Sequence, residues 1–371
     1  MKKYSIVISA VNIVEGGALS VLQDCLKNLA LSQINKDYEI IALINSSRRL
    51  SEYDNIKYLE YPKAKKHYFY RLYYEYFAFY WLSKKIKPRL WLSLHDMSPV
   101  VDADIQAVYM HNPTPFYKPT KLDWKYLPIN AIWAYLYKFV YRINIHSNKF
   151  LVVQQDWLRC EFSKMFNFEK DKIIVARPVH NDDLQQVKFI PSKDTSFFQF
   201  VYPAFPRVFK NFEVICEAAR IMENSGIENV RIVLTVDGSE NKYSRYLIEK
   251  YGNLKLIDFI GLVNKKRMEE LYNSSDCLIF PSKLETWGLP LSEFKPYNRP
   301  IIAADLPYAH ESAAGASMVR FFNPNKASEL VNCIKSVVSG DLSTFCAIPN
   351  KDIDAPSANS WKELFDILLE S

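Results

Sequence analysis

Two carboxylates eight positions apart, Glu285 and Glu293, carry the most specific chemistry in this sequence. They stand in the run Pro281-Ser282-Lys283-Leu284-Glu285-Thr286-Trp287-Gly288-Leu289-Pro290-Leu291-Ser292-Glu293. Proline is tolerated in a first helical turn, so Pro290 predicts a helix starting near Leu289. Glu285 then lies in the loop before that helix, and Glu293 in its early turns. Free N–H groups around Gly288 and Leu289 open into the same space, where a helix start adds partial positive charge. Carboxylates bind vicinal hydroxyls well. The pair therefore suits a sugar on one side and a ribose on the other, with phosphates between. The plainer reading is a capping glutamate and a surface glutamate.

Three other segments could join this chemistry. Arg207 and Lys210 in YPAFPRVFKN are two cations able to clamp a diphosphate, or else a solvated basic loop. Gly16 and Gly17, in the loop Asn12-Ile13-Val14-Glu15-Gly16-Gly17-Ala18, could let backbone N–H groups reach an anion, or could simply form a tight turn. His111, in MHNPTPF, follows a strand and could face a crevice. His95-Asp96 is a weaker candidate of the same kind. The sequence has neither GxGxxG nor GxxxxGK[ST], which argues against a dinucleotide dehydrogenase or a P-loop enzyme. Asp102-Ala103-Asp104 and Asp352-Ile353-Asp354 match a bare D-x-D pattern, which is common by chance. Because Lys, Arg and helix N–H groups could already offset a diphosphate, no metal and no other cofactor is expected.

The elements that must hold these residues alternate regularly. Short apolar runs at Tyr4–Val11, Tyr38–Ile44, Leu90–Leu94, Gln106–Met110 and Phe150–Val153 read as buried strands. Ala18–Leu29, Tyr68–Ile86 and Trp124–Ile143 read as helices between them. The pattern restarts at Phe197–Tyr202 and continues with strands at Val230–Val236, Leu256–Phe259, Cys277–Phe280 and Pro300–Ala303. This is an α/β chain with two doubly wound, Rossmann-like domains. The expected boundaries are 1–180, a polar linker over 181–196, a second domain over 197–358, and a terminal helix over 359–371 that could cross back to the first domain. Ligands of such sheets bind outside the carboxyl ends of the strands, and the residues above follow strands.

Composition agrees with this and narrows the partners. A chain of 371 residues, 49% hydrophobic and 24% charged, has room for two cores and is neither disordered nor fibrous. Its six cysteines are scattered with no CxxC, which fits a reducing compartment. The net charge of +6 is uneven. Residues 61–91 hold eight Lys/Arg against the single acid Glu75, and residues 115–150 hold six against Asp123. Both segments are rich in aromatics. They read either as core helices with a solvated rim or as an anionic membrane surface. No nucleic-acid motif accompanies them. No signal peptide or apolar span is apparent, so the expected place is the cytoplasm, peripheral on a membrane at most.

The Glu285–Glu293 segment resembles the signature of family-4 retaining glycosyltransferases of the GT-B fold, of the kind that builds bacterial polysaccharide and O-antigen. The resemblance extends through Phe259–Ser282, Lys210-Asn211, Gly16-Gly17 and Tyr109-Met110-His111-Asn112-Pro113. It implies two domains facing across a central cleft, the first on the acceptor side and the second binding a nucleotide-sugar. It also implies roles. Glu293 would hold the ribose diol, and Glu285 the donor-sugar hydroxyls beside the backbone of Trp287, Gly288 and Leu289. Val263 would lie in the nucleobase-facing loop. Lys210 would offset the diphosphate, which Gly17 would approach from the other domain. His111 would lie near the donor sugar. Arg207 stands closer to Lys210 than the family pattern has it, so its phosphate role is open.

The implied reaction is transfer of a sugar from a GDP- or UDP-linked donor to a glycan acceptor, with retention and without metal. The acceptor could be linked to a polyprenyl diphosphate. A nucleotide-sugar epimerase of the same fold and a non-catalytic glycan- or lipid-binding subunit are the alternatives. Neither the donor base nor the oligomeric state can be read from the sequence.

Overall fold

The computed structural model describes residues 4–177 and 197–370. They divide into two compact units. The first contains 4–116, 133–177 and 353–370, and the second 117–132 and 197–352. The linker expected over 181–196 lies outside the described residues.

The chain begins with β1 (Tyr4–Ala10), α1 (Gly16–Leu31), α2 (Ile34–Asp37), β2 (Tyr38–Ile44), β3 (Ile56–Glu60), α3 (Tyr68–Tyr73), α4 (Phe79–Ile86), β4 (Leu90–Ser93) and β5 (Ile105–Tyr109). It continues with α5 (Lys121–Tyr126), α6 (Pro128–Arg142), β6 (Phe150–Val153), α7 (Asp156–Phe166) and β7 (Ile173–Ala176). Next come β8 (Phe198–Tyr202), α8 (Phe212–Asn224), β9 (Val230–Leu234), α9 (Lys242–Tyr251), β10 (Ile257–Phe259), α10 (Lys265–Ser274), β11 (Cys277–Phe280) and α11 (Leu289–Phe294). The last elements are β12 (Ile301–Ala304), α12 (Pro307–Ser312), β13 (Val319–Phe322), α13 (Ala327–Ser339), β14 (Ser357–Ala358) and α14 (Trp361–Glu370).

Both sheets are parallel, as continuous apolar strands with helical crossovers require. The first runs β14-β7-β6-β5-β4-β1-β2-β3, and the second β10-β9-β8-β11-β12-β13. Strand order reverses between β1 and β4 in the first sheet and between β8 and β11 in the second. The loops leaving these four strands therefore open where such sheets bind ligands. The helices bury one stripe each. In α1 it is Leu22, Cys25, Leu26 and Leu29, a 3.6-residue repeat.

The structure adds elements that the sequence pattern did not mark, among them β3, β7, β13, α7 and α13, and it departs from the stated expectations in three further respects. The helix expected over Trp124–Ile143 is two helices, because Pro128 cannot donate an N–H and starts α6 afresh. Residues 117–132 belong to the second unit. There the Tyr126 ring stacks on Tyr246 at 4.8 Å and Tyr117 meets Phe209 at 5.9 Å. The second unit ends at 352 rather than 358, because Ile353 packs on the first unit's core and Ser357–Ala358 pairs with β7. α14 follows it there, burying Trp361, Leu364, Phe365 and Leu368 in the core that holds β1, β2 and β4.

The basic-aromatic segment 61–91 is part core and part surface. Phe79 and Trp91 are fully buried, and Tyr61 meets Tyr74 and Phe79 edge-on at 5.1 and 5.3 Å. Phe69, Tyr73, Phe77 and Trp81 face solvent at 75, 56, 64 and 69% exposure. They recur every fourth residue, along one side of a helical run that includes a π-turn at Tyr74–Ala78. In α6 and just past its end, Tyr135, Leu136, Phe139 and Ile143 form a second exposed stripe. Among the described residues no helix is long and apolar enough to cross a membrane.

Candidate functional site

In the second unit, the loops after β8 and β11 are fastened to each other. Asn211, in a left-handed conformation (φ 60°), buries its side-chain amide and donates to the carbonyls of Pro281 and Pro324 at 3.1 and 2.7 Å. The Lys283 N–H donates to the Phe209 carbonyl at 2.7 Å, and the Tyr202 hydroxyl donates to the Lys210 carbonyl at 2.8 Å. With both backbones held, Lys210 Nζ sits 2.5 Å from Glu285 Oε1, with 19 and 13% of the side chains exposed. The sequence-predicted cation and carboxylate thus form one charge-assisted pair.

The next turn sets up α11. Gly288 adopts φ 84°, and a Cβ there would meet the Phe280 ring at 3.2 Å. Trp287 is locked beside it, its indole N–H donating to Ser292 Oγ at 2.8 Å and its carbonyl accepting from the Ser312 hydroxyl. Leu289 is 37% exposed at the first turn of α11, where helical N–H groups lack partners within the helix. Glu293, on the same helix, accepts from the Tyr272 hydroxyl at 2.9 Å. Burial, with Glu293 adding to it, raises the Tyr272 pKa above its ordinary range. Val263 lies half-buried in the loop between β10 and α10. That loop turns at Gly261 (φ 72°), where a Cβ would come within 2.5 Å of Asp237 Oδ2. Gly261→Ala is therefore expected to destabilise the protein by about 1–3 kcal/mol, read as a lower urea midpoint. The Arg207 guanidinium lies over the Phe205 ring at 5.4 Å.

In the first unit, α1 starts at Gly16 (φ 72°), and a Cβ at Gly17 would meet nothing within 4 Å. The loop after β4 brings His95 and Asp96 against His111 and Asn112, which follow β5. Asp96 is left-handed (φ 64°), and its Oδ1 accepts from the N–H groups of His111 and Asn112 at 2.5 and 2.9 Å. Burial pushes the Asp96 carboxyl up to about 6 against the pull of those bonds. The His111 ring stacks on Tyr109 at 4.4 Å. Burial holds its pKa down to about 4, while a ring nitrogen hydrogen-bonds the Leu94 backbone. Nε2 is buried without a protein partner. The Leu94 contact therefore belongs to Nδ1–H, which leaves a lone pair on Nε2 able to accept from a hydroxyl. A polar cavity of about 170 Å³ opens here, lined among others by Asn12, Arg71, His95, Asp96, His111 and Tyr141. Asp102-Ala103-Asp104 precedes β5, at the opposite ends of the strands, and Asp104 pairs with Arg89 at 3.6 Å.

Residues 183–347 match the profile of the family described as glycosyl transferases group 1. Over that stretch, a little under half of the chain, the sequence is similar to group 1 glycosyl transferases. The O-antigen chain mannosyltransferase RfbU of Salmonella typhimurium is 22% identical over 267 residues, covering 70% of this chain and 69% of its own length. Among solved structures, a glycosyltransferase from Rickettsia africae superposes with a TM-score of 0.64 at 17% identity, covering 91% of this chain and 89% of that one. HepE from Anabaena, solved with UDP and glucose, gives 0.61 at 12% identity over 92% of each chain. These likenesses carry the fold: this glycosyltransferase is a two-domain, Rossmann-like GT-B protein.

Tyr272 and Asn211 had not been singled out as site residues. Asn211 was legible only as the partner of Lys210 in the Lys-Asn pair. Nothing local marked Tyr272, which is 21 residues from the carboxylate it serves.

Proposed function

We propose that this glycosyltransferase moves a sugar from a GDP- or UDP-linked donor to a glycan acceptor, with retention, in assembly of a surface polysaccharide. The observation that carries the reading is the Lys210–Glu285 pair at the β8/β11 switch point, with Glu293 and the first turn of α11 beside it. Breaking the bond from sugar C1 to phosphate leaves negative charge on the nucleotide diphosphate. Lys210, amides near Gly288 and Leu289, and Gly17 stabilise that charge as it develops. Glu293 takes the ribose diol, and Val263 lies along the base. Glu285 orients the donor sugar as it becomes oxocarbenium-like, and the departing phosphate takes the acceptor's proton. His111 Nε2 accepts a hydrogen bond from a sugar hydroxyl. Arg207, over the Phe205 ring, keeps its guanidinium edge available to a phosphate and is the second candidate for that contact. The similarity to RfbU, named for O-antigen mannosyl transfer, supports the acceptor class.

A thermal-shift panel of GDP, UDP and their sugars tests donor binding, since a ligand that binds only the native state raises its melting temperature. One base should shift it and the other should not; no shift with either would overturn the reading. Turnover is expected to persist in EDTA, because Lys210 and the amides near Gly288 and Leu289 offset the diphosphate. Loss of turnover restored by Mg²⁺ would reverse that. Incubation with donor alone separates transfer from epimerisation, which would yield an altered sugar without acceptor.

The acceptor is proposed to be lipid-linked, and the protein to work in the cytoplasm against an anionic membrane. The stripe Phe69, Tyr73, Phe77 and Trp81, with lysines at both ends of 61–91, supports this; so does the basic segment 115–150. Co-flotation with anionic liposomes at low salt is expected, and no binding there would reject it.

A further inference from the structure

The helical run bearing that outward stripe turns two charged residues inward, one helical turn apart. Arg71 donates from one Nη to the His95 carbonyl at 2.9 Å and approaches His95 Nδ1 at 3.4 Å. Glu75 is fully buried, with Oε1 3.1 Å from His95 Nε2. Ser9 Oγ lies 3.2 Å from the same nitrogen. Arg71 can only donate, so Nδ1 keeps its lone pair and Nε2–H faces Glu75 and Ser9. A buried carboxyl is costly in an apolar fold and is retained where it does something. Burial pushes Glu75 up to about 8, with Arg71 opposing.

His95 is followed by Asp96, whose left-handed backbone is strained. Such a residue persists only where its surroundings hold it. Here the Arg71 bond to the His95 carbonyl, and Glu75 against the His95 ring, fix the peptide just before it. Asp96 Oδ1 in turn carries the backbone of His111 and Asn112. The path from helix to imidazole is thus Arg71 and Glu75, then His95-Asp96, then His111.

We propose that Arg71 and Glu75 are positioning residues for His111, acting through the His95-Asp96 turn. This rests on the reading of His111 as a group that meets a sugar hydroxyl. Loosening the turn lets the imidazole reach water and moves Nε2 off its mark.

The test is the titration of His111 in ¹⁵N-histidine-labelled full-length protein, its signal assigned by its loss in His111→Gln. Wild type is expected to titrate near 4. Glu75→Gln keeps an acceptor for His95 Nε2–H and should stay there. Glu75→Ala and Arg71→Met should rise toward the free value of 6.5. Arg71 is a cation lining the same cavity as His111, so its loss also raises the pKa through charge alone. Arg71→Lys, which keeps the charge but loses the guanidinium bond to the His95 carbonyl, should rise as well and separates position from charge. In transfer assays Glu75→Ala and Arg71→Met should lose kcat by about 10²-fold with donor KM unchanged, and Glu75→Gln should retain it. A midpoint still near 4 in Glu75→Ala and Arg71→Lys, with native near-UV circular dichroism, would overturn the proposal. If Glu75→Ala does not fold, Arg71→Lys, on a half-buried side chain, decides. The titration needs no substrate, so it can fail while glycosyl transfer stands, and the reverse.

Discussion

Glu285→Gln is expected to lower sugar transfer by about 10²–10³-fold while the protein melts within a few degrees of wild type. Glutamine keeps the shape and one oxygen acceptor for Lys210 Nζ, now 2.5 Å from Glu285 Oε1. It removes the negative charge that balances Lys210 and that, on the proposed reading, orients sugar hydroxyls. On the proposed reading the nucleotide is held mainly through Glu293, the loop at Val263 and the phosphate contacts, so the loss should fall on kcat. Glu285→Ala should be worse, since it strands Lys210 in a mostly buried position, where breaking an ion pair costs about 3–5 kcal/mol. Steady-state kinetics on purified protein, with thermal melts alongside, checks both. Near-normal turnover in Glu285→Gln would remove this carboxylate from the reaction.

Ending the chain after Asp352 should abolish cooperative folding of the first unit. The cut removes β14 from its edge beside β7 and α14 from the core, where Leu364, Phe365 and Leu368 are at most 1% exposed. Deleting one such side chain costs about 2–5 kcal/mol, so together they exceed the 5–15 kcal/mol typical of a whole domain at its lower end. Leu364→Ala alone should show that single-residue cost in a urea melt. A truncated protein with an unchanged melting profile would show that α14 is dispensable.

The parts of the fold carried by local pattern were readable. Apolar runs alternating with amphipathic ones gave five of the eight strands of the first sheet and five of the six of the second, and Pro290 after Gly288 placed the start of α11 near Leu289. Partner choice was not readable. An apolar helix face says that it will be covered, not by what, so 117–132 could not be assigned to the second unit from its own residues. The Lys210–Glu285 and Tyr272–Glu293 contacts join residues 75 and 21 apart, distances over which sequence spacing carries no geometry. Glu75 did leave a trace: it is the single acid in the basic run 61–91, four residues after Arg71. An isolated carboxylate at helical spacing from an arginine suggests an inward pair, but its contact with His95 depends on how β4 ends.

The return of β14 and α14 to the first sheet also sets an order of events during synthesis. Every segment of the second unit, 117–132 and 197–352, is synthesised before residues 353–370. The first unit thus receives the last part of its chain only at the end of synthesis, and until then it has an open edge and an uncovered core. The half of the protein written first in the message is therefore the half that matures last, and a stalled or prematurely ended translation would leave it as the portion exposed to chaperones and proteases.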